Sequence, residues 1–237
     1  MFVTEAEGLA ELARPRAIRV PRVAAHGRCG DASYLALEWI DMYRGNPDAG
    51  RALGAGLAAL HRHVAGSYGW HRHNRIGLSP QPNFRTTDWC EFWTEHRLRH
   101  QLDLAAGQGY RGKLQRLGNE LMQAIPALLN GHRPDASLLH GDLWGGNWAV
   151  ADGVPVIFDP AVYYGDREAD LAMTRLFGGF DAAFYAAYEA AWPLPAGHEV
   201  RLPIYQLYHV LNHLNLFGGG YLGHAEALLS RIIGVTR

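Results

Sequence analysis

The chain has 237 residues, with 22 Lys+Arg against 23 Asp+Glu for a formal net charge of -1, and 48% of it is hydrophobic. That is enough material to bury a core in one large domain or two small lobes, and the balanced charge argues against a polybasic surface for nucleic acid or membrane. Two cysteines, Cys29 and Cys90, cannot build a disulfide framework, no apolar run reaches bilayer length, and the N-terminus lacks a signal-peptide pattern, so a cytoplasmic protein is expected.

In chain order, Phe2, Ala6, Leu9 and Ala13 share one helical face, and Arg14-Pro15 ends that helix. Two extended runs, residues 20–25 and 34–40, flank a turn-rich stretch at 27–31 and predict an antiparallel pair. Asn46 predicts a helix cap with Pro47 in the first position, and Leu53, Leu57, Leu60 and Val64 mark the buried stripe. Gly66, Gly69, Gly77, Pro80 and Pro82 forbid a long element over residues 66–87, and so long an irregular stretch inside a domain points to a functional or mobile segment. Helical spacing returns with Trp89, Phe92 and Trp93, then with Leu114, Leu117, Leu121, Leu128 and Leu129. Residues 138–159 read as short strands and tight turns. The remainder reads as helices over roughly 168–177, 180–191, 203–217 and 221–233, interrupted by Pro193, Pro195 and Gly218-Gly219-Gly220. The layout is a small strand-containing start leading into a mostly helical body, with no internal repeat.

Chemistry concentrates at His140-Gly141-Asp142-Leu143-Trp144-Gly145-Gly146-Asn147. Two apolar runs follow, joined by Asp152-Gly153, a strong hairpin signal, and the second ends at Asp159. A hairpin of that length returns the chain so that Asp142, Asn147 and Asp159 converge. Phosphoryl transfer needs such a set: a carboxylate to take the attacking hydroxyl's proton, and an Asn and a second Asp as hard oxygen ligands for Mg²⁺. The step from Asp142 to Asn147 matches the kinase catalytic-loop spacing. Ordinary Asx turns would also explain an isolated pair, but strand, loop, hairpin and second Asp together favour the chemistry.

The same stretch resembles the signature of the fructosamine (ketosamine) kinase family, which belongs with the aminoglycoside phosphotransferases and choline kinases. Similar blocks are Ala17-Ile18-Arg19-Val20-Pro21, Asn74-Arg75-Ile76-Gly77, Pro80-Gln81-Pro82-Asn83, Asp159-Pro160-Ala161, residues 165–173 and residues 207–220. The resemblance implies an α+β, protein-kinase-like fold. Residues 1–41 would be the remnant of a nucleotide-binding lobe, and 42–237 the helical catalytic and substrate lobe. It implies Asp142 as the catalytic base, Asn147 and Asp159 as Mg²⁺ ligands, and Glu38, Trp39 and Ile40 as the hinge whose backbone meets adenine. Glu5 resembles the acid that pairs with a phosphate-binding lysine. The implied reactants are ATP and ketoamines, fructosamines or ribulosamines of lysine or protein amines.

Family members start with a glycine-rich strand-turn-strand and a strand carrying that lysine. Here the chain starts at the helix of Glu5, and Lys113 is the only lysine, so a truncated small lobe and impaired activity are expected. Two alternatives stand beside the kinase: a non-catalytic relative that keeps a ligand-binding body, and an aminoglycoside- or choline-type phosphotransferase.

Other side chains divide between packing and function. His61, His63, His71, His73, His96 and His100 read as exposed helix and loop histidines rather than a metal cluster. His140 and Asp170 are expected to orient the catalytic loop. Trp89, Trp93 and Arg97 suit a core, or a wall for substrate. Trp144 beside the base, and Asn212 and His213 on an apolar helix, are candidate substrate contacts, since polar groups on such a face must be paired or line a cleft. The sequence leaves oligomeric state open.

Overall fold

The computed structural model describes residues 2–235. Helix α1 (Phe2–Ala13) turns Ala6, Gly8, Leu9 and Leu12 inward. An added Cβ on Gly8 would meet the Val162 and Pro160 side chains at 3.3 and 3.4 Å, so the helix rests on the segment that follows Asp159. Strands β1 (Val23–Cys29) and β2 (Ala32–Leu37) pair antiparallel from Val23↔Leu37 to Cys29↔Ala32. The ladder runs through most of the stretch expected to be a turn, because Gly30, at φ +58°, lets two residues close it.

Helix α2 (Pro47–His61) begins as the sequence predicts: Asn46 Oδ1 accepts the Ala49 N–H at 2.9 Å, and Pro47 occupies the first turn. Its Leu53, Leu57, Ala58 and Leu60 are fully buried. Residues 64–88 hold only short pieces: β3 (Val64–Ala65), then β4 (Asn74–Ile76) paired antiparallel with β5 (Ser79–Gln81). Asp88 caps α3 (Trp89–Trp93), which continues into a π-helical turn over Thr94–Arg99 and then α4 (His100–Gly107). The widened turn carries Arg97 into the interior. Helix α5 (Lys113–Leu128) is amphipathic, burying Leu114, Leu117, Leu121 and Ile125.

Strand β6 (Ala136–Leu139) is buried along its length and is the middle strand of an antiparallel sheet, between β3 and β9 (Tyr163–Gly165). Strands β7 (Trp148–Ala151) and β8 (Val154–Ile157) form the expected hairpin, with Asp152 and Gly153 at φ +52° and +80° as a type I′ turn demands. Helices α6 (Glu168–Leu176), α7 (Ala182–Ala191), α8 (His198–Phe217) and α9 (Leu222–Gly234) complete the body. Gly54 of α2 meets α7 so closely that a Cβ would lie 2.1 Å from the Phe184 carbonyl oxygen.

Helix α8 starts earlier than expected, with Pro203 inside its second turn. The single backbone bond that Pro203 removes costs less than ending a helix whose following turns are almost wholly buried. One hydrophobic core runs from Leu12 and Ile18 through α2, β6 and α8 to α9, so the N-terminal elements and the helical body share it. Among the described residues no helix is long and apolar enough to cross a membrane.

Candidate active site

Strand β6 delivers the chain to His140, whose ring is completely buried. Its Nε2–H donates to the Phe158 carbonyl at 3.0 Å and its Nδ1 accepts the Asp142 N–H at 3.3 Å, an arrangement that defines one neutral tautomer. Burial lowers its pKa and keeps the ring uncharged. Gly141 follows at φ +82°, where an added Cβ would fall 2.1 Å from the Ala161 carbonyl oxygen. Only glycine fits both constraints.

A carboxylate holds this turn from beneath. Asp170 of α6 accepts the His140 and Gly141 N–H groups at 2.8 Å each, one on either oxygen. His61 Nε2 donates to the same carboxylate at 3.1 Å, and its Nδ1 meets the Tyr188 hydroxyl at 2.8 Å. Burial would push the Asp170 pKa up, but the bonds from His61 and the backbone outweigh it and hold the group below the ordinary carboxylate value. His61 is therefore a buried support of the His140–Asn147 loop, and the expectation of an exposed histidine fails there. It lies on the face of α2 turned toward α6, which the order of apolar residues along α2 did not mark.

Among the described residues Asp142 emerges from this cradle without an oppositely charged partner. Burial, and then the nearby Asp170 and Asp159 carboxylates, push its pKa up to about 7. Asn147 closes the loop: its Nδ2 donates to the backbone oxygens of Asp142 at 2.9 Å and Asp159 at 3.4 Å, and its own carbonyl accepts the Phe158 N–H at 3.1 Å. The β7–β8 ladder starts at the next pair, Trp148↔Ile157, so the hairpin brings Asp159 back beside the loop. Asp159 sits at φ +55°, a conformation that costs a non-glycine residue on the order of 1–3 kcal/mol and is typically retained where a function depends on it.

These residues line a cavity of about 450 Å³. Glu5, Asp142, Asn147 and Asp159 supply its polar side, while Asn74, Arg75, Leu78 and Trp144 form much of the remainder. The Glu5 carboxyl is also raised, by burial and then by Asp159. Three carboxylates and the Asn147 side-chain oxygen, with Arg75 the single basic residue among the described lining, form a hard-oxygen set short of positive charge. That donor chemistry fits a divalent cation such as Mg²⁺. Lys113 is not part of the cavity; it pairs with Glu226 at 2.9 Å between α5 and α9.

The other expected site residues lie elsewhere. Glu38 stands 3.7 Å from both Arg19 and Arg22, Trp39 is 90% exposed with its Nε1 donating to Asp41, and Ile40 is half-buried; none lines the cavity. Trp144 does line it, at 42% exposure, and its ring occupies the space that a Cβ on Gly146 would need. Asn212 is buried, its Oδ1 accepting from Gln101 at 3.3 Å, and His213 bonds the His209 carbonyl at 2.8 Å among Phe177, Phe217 and Tyr221. The structure therefore places neither at the cavity: burial on α8 made pairing, rather than a cleft, the outcome for Asn212. Trp89, Trp93 and Arg97 are core, with the Arg97 guanidinium 4.0 Å over the Tyr163 ring.

Arg75, Asn74 and Leu78 line the cavity although nothing in the sequence singles them out as site residues; the irregular 66–87 stretch that carries them reads only as functional or mobile. A second cluster, His132, Asp166 and Glu168, is satisfied internally: Asp166 accepts from His132 and Tyr205 at 2.6 Å each, and Glu168 accepts from Arg201 Nε and Nη2 at 2.8 and 2.7 Å.

A family profile described as Fructosamine kinase matches residues 1–234 of this chain. A Synechocystis protein described as a ketoamine kinase is 47% identical, over 98% of this chain and 79% of its own length. A solved Haemophilus somnus structure, assigned as a fructosamine-3-kinase, superposes with a TM-score of 0.91 at 32% identity, covering 98% of this chain and 79% of that one. The aminoglycoside phosphotransferase APH(4)-Ia, at 15% identity and a TM-score of 0.59 over 98% of this chain and 84% of that one, shares the fold alone.

Proposed function

Because the chain belongs to the fructosamine kinase family, a family of phosphotransferases, we propose that it moves the terminal phosphoryl group of ATP to a sugar hydroxyl of a ketoamine. The acceptor class is a fructosamine or ribulosamine formed on lysine or on a protein amine. The convergence of Asp142, Asn147 and Asp159 at one cavity carries this reading.

In it, Asp142 accepts the hydrogen bond, and then the proton, of the attacking hydroxyl. A carboxylate raised to about 7 by burial and neighbouring acids is a stronger base than an ordinary aspartate and is still largely ionised in mildly alkaline solution. The Asn147 side-chain oxygen and the Asp159 carboxylate would hold Mg²⁺, which when bound supplies the charge neutralisation that phosphate oxygens need. Asn147 also ties the backbones of Asp142 and Asp159 together, so the base and the metal ligands keep one spacing. The exposed Trp144 ring offers the acceptor sugar an apolar platform beside the base. Glu5 approaches Asp159 from α1 and stays on the nucleotide side, and Glu38, Trp39 and Ile40 would meet the base of the nucleotide along the irregular segment that follows β2.

The test is ADP release coupled to phosphate incorporation, with Nε-fructosyl-lysine and Nε-ribulosyl-lysine as acceptors in the presence of Mg²⁺. Transfer that disappears in Asp142→Asn is the expected result. Absence of transfer to either acceptor by the wild-type chain sinks the proposal.

A further inference from the structure

The β4–β5 hairpin forms the wall of the cavity that faces the acids, and buried amides hold it in place. Asn74 Nδ2 donates to the Val162 carbonyl at 2.8 Å, and Asn74 Oδ1 accepts from Gln81 Nε2 and Asn83 Nδ2 at 2.8 Å each. Gln81 Nε2 also reaches the Ala161 carbonyl at 3.0 Å, and its Oε1 accepts the Tyr208 hydroxyl at 2.7 Å. Arg97, inside the π-helical turn, locks Asn83 Oδ1 at 2.8 Å. Ala161 and Val162 directly follow Asp159-Pro160, so the hairpin and the loop carrying Asp159 are clamped as one body. Satisfied buried amides of this kind specify a single geometry.

Arg75 sits on that hairpin between two buried neighbours, Asn74 and Ile76, and lines the cavity. One guanidinium nitrogen donates to the Leu78 carbonyl at 2.6 Å across the turn. That bond restrains the head group and leaves most of its five donors unused. Among the described residues it has no carboxylate partner, although Glu5, Asp142 and Asp159 line the same cavity. Exposed at the surface and restrained by that bond, the guanidinium overlooks a cavity whose acids would otherwise repel any anion that enters.

We propose that Arg75 is an oxyanion-binding residue of the catalytic cavity, presenting a pre-set guanidinium fork to a phosphate or carboxylate group carried in by one of the two reactants. The proposal rests on the kinase reading only for the identity of those reactants: the polyphosphate of the nucleotide, or an anionic group on the acceptor, such as the carboxylate of a glycated free amino acid. Planar, two-point recognition of either oxyanion is the geometry for which arginine is suited and lysine is not.

Calorimetric titration of the full chain in the presence of Mg²⁺ tests it with inorganic tripolyphosphate, ATP, and Nε-fructosyl-lysine beside its carboxamide. Arg75→Gln is expected to weaken tripolyphosphate binding about tenfold or more, with Arg75→Lys recovering part of the loss. Arg72→Gln, which removes a surface pair with Glu7, should leave it unchanged. A parallel tenfold loss for ATP assigns the oxyanion to the nucleotide. Loss of the preference for fructosyl-lysine over its carboxamide assigns it to the acceptor. A wild-type chain that binds no tripolyphosphate, or Arg75→Gln binding every probe as the wild type does, overturns the proposal. Tripolyphosphate needs no ketoamine chemistry, so failure of fructosyl-lysine to bind or accept phosphate counts against the kinase reading alone and leaves the Arg75 result in force.

Discussion

Asp142 and Asp170 are the same side chain in adjoining layers of one site, and the fold treats them in opposite ways. Asp170 is surrounded by donors, with two backbone N–H groups at 2.8 Å and the His61 ring at 3.1 Å, and is held ionised below the ordinary carboxylate value. Asp142, reached from the same turn, has the Asp170 and Asp159 carboxylates as its charged neighbours and is pushed up to about 7. The first arrangement stabilises the loop. The second leaves a carboxylate under electrostatic stress, which a proton, a cation or a reacting hydroxyl can relieve. A site of this type gives up stability at the reacting group and recovers it in the layer beneath.

Separating the two roles by mutation gives the largest effects. Asp142→Asn should reduce phosphoryl transfer by roughly a thousandfold or more. In the metal-free protein the same change should raise the midpoint of thermal unfolding by a few degrees at pH 8, since it removes a disfavoured charge. The sign follows from linkage: with the folded pKa above the unfolded one, the stability associated with the protonated form is complete below pH about 4 and lost as pH rises through about 7. Thermal melts from pH 4 to 9 should show a decline in the wild type that flattens in Asp142→Asn. A steeper decline in the variant would contradict the contrast.

Asp170→Asn should do the reverse. Losing a buried carboxylate that serves three donors should destabilise the chain by about 3 kcal/mol in urea unfolding. Its folded pKa lies below the unfolded one, so its contribution is present above pH about 4 and falls away as pH drops further; the variant should lose that acid-side slope. Unchanged stability would mean that the cradle is not where the loop is held.

The smaller test is Gly141→Ala, which places a methyl 2.1 Å from the Ala161 carbonyl oxygen at a positive φ. A loss of about 2 kcal/mol is expected. Loss of transfer should accompany it, because Ala161 N–H bonds the His140 carbonyl at 2.9 Å and any shift there disturbs Asp159 as well.

Short-range features were legible from residue order. The Asn46 cap with Pro47 and the Asp152-Gly153 turn depend on neighbours a few positions apart, and the structure contains both; on α1 the expected face holds at Ala6 and Leu9 but not at Ala13, which is exposed while Leu12 turns inward. The convergence of Asp142, Asn147 and Asp159 was also readable, because one hairpin of known turn type connects them. Features that join distant segments were not. The burial of His61 depends on Asp170 and Tyr188, more than a hundred positions away, and Asn212 finds Gln101 across two helices. Nothing in the order of residues distinguishes a paired asparagine on an apolar helix from one that lines a cleft.

By itself, then, the sequence determined most local elements, the composition of the His140–Asn147 loop and the chemistry available to it, since each follows from backbone preference or side-chain type over short spans. Only the tertiary structure decided which carboxylate is held ionised by donors and which is left under stress, and that Arg75 shares the cavity with the acids. Charge state depends on burial and on neighbours in space, and folding brings those neighbours together from α1, β4, β6 and α6.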